Sequence, residues 1–107
     1  MTRPRVHAGP PKVCRPVEEV RQRLAQQVAA GVEIERDDDP KAANAWRALT
    51  LTILEDDFQG SIATEFENSI LNVEEDDRFT AQLNYLQRLQ VRLPYMRVIL
   101  ASRLRVP

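Results

Sequence analysis

The chain has 107 residues, 43% of them hydrophobic and 29% charged, which suits one folded domain and leaves no room for two substantial cores. The longest apolar run, Val98-Ile99-Leu100-Ala101, is far shorter than the roughly 20 residues that span a bilayer, and the basic N-terminus has no apolar stretch behind it. A lone Cys14 excludes an internal disulfide and fits a reducing compartment, so a cytoplasmic protein without a membrane partner is expected. The net charge of -1 conceals an uneven order: +4 over residues 1–32, -11 over 33–77 and +6 over 78–107.

Residues 1–14 hold three prolines, a glycine and the bases Arg3, Arg5 and Lys12, with little to bury. They read as a flexible basic arm ahead of a single helical domain over 15–107. Pro16 suits the first turn of a helix, and Glu18 and Glu19 complement its dipole. Val17, Val20, Leu24, Val28 and Val32 recur at helical spacing, and Gly31 predicts an end between Ala30 and Glu35. Asp39 before Pro40 is the clearest start signal, a capping carboxylate followed by proline at the first helical position. A stripe of Ala42, Ala43, Trp46, Leu49, Ile53 and Leu54 follows, interrupted by Thr50, with Trp46 as the expected centre of the core and Gly60 as the C-terminal cap.

Ser61 can cap a third helix running to about Asn72, with Ile62, Phe66, Ile70 and Val73 inward. Glu74 to Asp77 then forms a polar connection whose last aspartates can cap a fourth helix. That segment spans Arg78 to Arg103, with a leucine-rich stripe from Phe79 to Leu104. Pro94 interrupts it, and because the stripe resumes in phase a kink is preferred to a break. The expected fold is therefore all-α: a compact bundle of four helices, or five if Pro94 splits the last.

Few residues offer chemistry. His7 lies alone in the arm, the three glycines form no phosphate loop, and one Cys with one His cannot make a zinc site. No catalytic residue, cofactor or metal ligand is assigned, and an enzyme is not expected. The acidic clusters 37–39 and 74–77 precede helix starts, where capping and solvation explain them. Glu55, Asp56 and Asp57 instead fall in the last turn of the second helix, where the dipole disfavours acids. An intramolecular pair with the arginine-rich fourth segment would offset this; docking on a basic partner is the alternative.

On a continuous fourth helix, Val91, Tyr95, Val98 and Ile99 make a second apolar stripe opposite the leucines. Such a helix is either central in the bundle or exposes an interface for a second copy or another protein. With Glu55, Asp56 and Asp57, these four residues form the candidate partner surface. The expected function is thus helix-mediated self-association or partner docking, as in an adaptor. The alternative is a small regulator contacting nucleic acid through its basic N- and C-terminal segments.

From Leu24 to Phe66 the order is a helix ending in Ala29-Ala30-Gly31, an acidic linker, Ala45-Trp46-Arg47, then Leu54-Glu55-Asp56-Asp57-Phe58-Gln59-Gly60-Ser61. This resembles helical accessory segments that precede TIR-like or other nucleotide-linked effector domains in bacterial antiphage proteins. Those segments place Phe and Gly side by side, whereas here Gln59 separates them, and the 107 residues contain no effector domain. The resemblance implies an adaptor or assembly module and transfers no catalytic residue.

Overall fold

A computed structural model of the chain describes residues 11–99. Helices dominate: α1 (Val17–Asp37), α2 (Pro40–Asp57), α3 (Ile62–Asn68) and α4 (Arg78–Arg92). A three-stranded sheet of two-residue strands adds to them, in the order β2 (Phe58–Gln59), β1 (Lys12–Val13), β3 (Arg97–Val98). β1 runs antiparallel to β2 and parallel to β3, with Lys12 opposite both Gln59 and Arg97. No described helix is long and apolar enough to cross a membrane.

The helical bundle agrees with the sequence, but several boundaries move. The inner end of the expected arm is not loose, because Lys12–Val13 is the central strand and Val13 is fully buried. Residues 1–10 of that arm lie outside the described residues. α1 does not stop between Ala30 and Glu35; it continues to Asp37 and ends where Asp38 turns left-handed (φ 55°) and donates its N–H to the Ile34 carbonyl at 2.8 Å.

Gly31 is kept inside the helix by packing. A Cβ there would lie 2.8 Å from Leu83 Cδ1 and 3.0 Å from Trp46 Cζ2, so only glycine lets the indole and α4 close on α1. Val20, Leu24, Gln27 and Gly31 face inward, while Val32 faces out.

In α2, Asp39 Oδ1 caps the first turn as expected, accepting from the Lys41 and Ala42 N–H groups at 3.1 and 3.3 Å. The inward face, however, is Trp46, Thr50 and Leu54 at four-residue steps, and Leu49 is turned outward. A closed set of hydrogen bonds makes polar Thr50 acceptable there. The Trp46 indole N–H donates to the Gln27 carbonyl at 2.9 Å, and the Gln27 amide donates to Thr50 Oγ1 at 2.8 Å. Thr50 in turn donates to the Trp46 carbonyl at 2.7 Å. Buried polar groups so paired avoid the cost of about 1–3 kcal/mol for an unsatisfied one. Trp46 is a core residue as expected, with its ring 4.7 Å from Phe79 and 6.0 Å from Phe66.

α2 ends one turn before Gly60, which serves instead the turn from β2 into α3 with φ 97°. Ser61 makes no capping bond; its hydroxyl reaches Glu65 Oε2 at 2.9 Å. α3 stops at Asn68, and the chain turns through left-handed Asn72 (φ 63°). Glu75–Asp77 forms one 3₁₀ turn leading into α4, with no side-chain cap from Asp77.

The largest correction concerns the last segment. α4 stops at Arg92, Leu93–Tyr95 makes a 3₁₀ turn around Pro94, and the chain then extends as β3. Proline has no N–H to continue the helical ladder, and β1 offers the extended chain new backbone partners. The Ile99 N–H, for example, donates to the Val13 carbonyl at 2.6 Å. The leucine stripe is buried through Leu83, Leu86, Leu89 and Leu93; its later members lie outside the described residues.

Candidate interaction surfaces

Because β3 replaces the end of the fourth helix, Val91, Tyr95, Val98 and Ile99 do not form one helical stripe. Val91 lies in the last turn of α4, Tyr95 ends the 3₁₀ turn, and Val98 lies in β3. Ile99 is half-buried at the sheet. The other three are exposed: Tyr95 at 87%, Val91 at 71% and Val98 at 39%. Tyr95 borders a depression of about 530 Å³ shared with Pro11, Arg92, Met96 and Arg97. An aromatic ring held in solvent by a proline-centred turn, with arginines beside it, has the chemistry of a contact anchor.

The acids at the end of α2 divide. Asp57 is completely buried and held by two arginines, Arg15 Nε at 2.7 Å from Oδ1 and Arg23 Nε at 2.8 Å from Oδ2. Its carbonyl also accepts the Cys14 N–H at 2.7 Å. An intramolecular pair therefore does offset the unfavourable dipole, but its cations come from the N-terminal side, not from the fourth segment. Asp57 has no surface to offer a partner. Asp56 is exposed, 3.7 Å from an Arg15 nitrogen, and Glu55 is exposed too. Burial, and then the Asp57 charge, push the Cys14 thiol up, which disfavours the reactive thiolate.

Arg92, the last residue of α4, is tied inward. Its Nη1 lies 2.9 Å from Glu65 Oε1, which also accepts the Tyr85 hydroxyl at 2.8 Å. Burial draws the Glu65 carboxyl upward, but bonds from Arg92, Tyr85 and Ser61 outweigh it and leave the group below its ordinary value. The Tyr85 phenol is raised well above its usual range, by burial first and then by Glu65.

At the opposite end of α4 lies a groove of about 520 Å³ that single-element reading of the sequence missed. Its rim carries Glu35, Asp38, Asp39, Glu75 and Asp76, and Ile34, Ala43 and Phe79 supply apolar lining. Among the described residues Arg47 is the one base in the lining, and it is already engaged. Its Nε donates to Gln82 at 2.6 Å, its Nη1 donates to Asn44 at 2.9 Å, and its guanidinium lies 5.8 Å from the Phe79 ring centre. The signal that could have found this groove was topological. Helices of an up-and-down pair bring the start of α2 beside the end of α1, and α4 starts at the same pole. Two acidic clusters meant for separate caps therefore face each other.

Among the described residues, no three His, Cys, Asp or Glu side chains converge as metal ligands would. The fold and its surfaces define a small helical protein with an acidic groove at one end of α4 and an exposed Tyr95 beside Arg97 at the other. Compared with known protein families, curated proteins and solved structures, the chain has no match, and the likeness of Leu24–Phe66 to antiphage accessory segments gains no support from them.

Proposed function

We propose that this chain is a protein-interaction module, an adaptor that acts by contact with a second copy or another protein and performs no chemistry of its own. The observation that carries the reading is Tyr95, 87% exposed at the end of the turn around Pro94. A tyrosine ring costs little entropy to immobilise and offers both apolar area and a hydroxyl, which is why such residues recur at interface centres. Of the acids at the end of α2, Glu55 and Asp56 remain available to a partner and Asp57 does not.

The test compares the whole chain with its Tyr95→Glu variant by sedimentation and by partner recovery in a pull-down. Unchanged helical circular dichroism with loss of association supports the reading. A wild type that is only monomer at micromolar concentration, together with recovery indifferent to Tyr95→Glu, removes it.

Nucleic acid is the weaker alternative, because Arg15, Arg23 and Arg92 are engaged by Asp57 and Glu65. It requires binding that falls steeply with salt.

A further inference from the structure

The two surfaces at the ends of α4 complement each other. Fifteen residues separate them, about 22 Å at the helical rise. One pole is an acidic groove lined in part by Phe79 and Ile34; the other presents Tyr95 beside Arg97 and beside Arg92, which Glu65 already holds. The basic pole also contains an arrangement the fold leaves unbalanced. Lys12 and Arg97 are register partners on the parallel strands β1 and β3, and neighbouring like charges repel each other. Neither makes an ion pair among the described residues, and an anion supplied from outside would relieve them. At the acidic pole, Asp38, Glu75 and Asp76 likewise have no ion-pair partner among the described residues. Within one molecule the two surfaces lie at opposite ends of α4, too far apart to pair with each other.

From this we infer that the occupant of the acidic groove is the basic pole of a second copy. Tyr95 packs against the apolar lining near Phe79, and Arg97 and Lys12 meet Asp38, Glu75 and Asp76. This rests on the reading of Tyr95 as a contact residue and goes further by naming its seat. The contact joins two different surfaces, so a pair keeps one free groove and one free pole, on different molecules, unless a symmetric arrangement closes both.

Complementation tests it in the full chain. The pole variant is Arg97→Glu; the groove variant combines Glu75→Lys with Asp76→Lys. All three positions are exposed and none supplies a helix cap bond, so the fold is expected to survive, as thermal melting verifies. Sedimentation at low salt should show the wild type associating and each variant at least tenfold weaker. An equimolar mixture of the two variants should form a 1:1 complex, since an intact groove then meets an intact pole. Association should weaken between 0.05 and 0.5 M salt, as the screening length falls below about 10 Å.

A groove variant that associates as well as wild type, while Tyr95→Glu does not, overturns the groove as the seat and leaves the Tyr95 surface standing. A monomeric wild type, or a mixture that fails to complement, overturns the inference, and recovery of another protein through Tyr95 then decides the broader reading separately.

Discussion

At the turn between α1 and α2, chain neighbours supply the order. Asp38 ends one helix in a left-handed conformation, Asp39 caps the next, and Pro40 starts it, all within three residues. At the opposite pole nothing is local. Arg15 meets Asp57 across 42 residues, and β1 pairs with strands that follow α2 and α4. Strands of two residues cannot hold themselves together, so a buried charge and its two arginines fasten that pole. The first pole is specified by propensity and capping, the second by a few long-range contacts that stand or fall together.

The comparison breaks most visibly at Asp57. Removing one partner of a buried ionic cluster is strongly destabilising; because Arg15 and Arg23 keep about a third of their side-chain surface and can be rehydrated, the loss should sit near the lower bound, about 3 kcal/mol. Urea denaturation of Asp57→Ala measures it. Hydrogen exchange should localise it, with the Cys14 and Ile99 amides, which bond to Asp57 and Val13, losing more protection than amides at the α1–α2 turn. Equal loss at both poles would show that they are not separate in stability.

The same contrast explains what could be read from the chain alone. The helical class, the Asp39–Pro40 start, the arm's basic character and the burial of Trp46 all follow from signals a few residues long. The phase of α2 was hidden because Thr50 is admitted to the core by Gln27, a residue 23 positions earlier. The strand at Arg97–Val98 was hidden because its partner, Val13, lay in a segment rich in proline and read as loose. The last stretch has the helical spacing of Tyr95, Val98 and Ile99, yet a proline and an available strand partner override it. Of the candidate surface, helical spacing leaves Tyr95 either buried in a central helix or exposed at an interface; it is exposed, but on a turn, and the acidic groove needs the topology before it can be seen.

Gly31 sharpens the comparison from the other pole. Alanine in mid-helix is worth about 1 kcal/mol over glycine, so Gly31→Ala would stabilise an isolated α1. In the folded protein its Cβ would meet the rigid Trp46 ring and Leu83, and overpacking of this kind costs ~1–3 kcal/mol. The net expectation is a loss of about 1 kcal/mol, read as a lower melting temperature, with the indole fluorescence shifted by displacement of the ring. A gain in stability would mean that α1 and α2 pack less tightly than the 3.0 Å approach requires.

Glu65 gives the smallest effect and a sign that can be fixed beforehand. Its carboxyl is partly exposed, so the bonds from Arg92 and Tyr85 contribute no more than about 1 kcal/mol after screening by solvent. Its folded pKa lies below its unfolded one, so the charged form is favoured by folding. The stabilisation is therefore complete above the ordinary glutamate range and is lost as pH falls through the lowered folded value. Glu65→Gln removes the titration but keeps an acceptor for Tyr85. The difference in unfolding free energy between wild type and this variant should stay constant from pH 7 to about 5 and shrink steadily below the ordinary glutamate pKa of about 4.3. A difference that grew on acidification would reverse the assigned shift, and one that ignored pH would mean Arg92 is held at the end of α4 by packing rather than by charge. The sheet pole would then depend for its electrostatic fastening on the arginines gathered at Asp57 and Asp56.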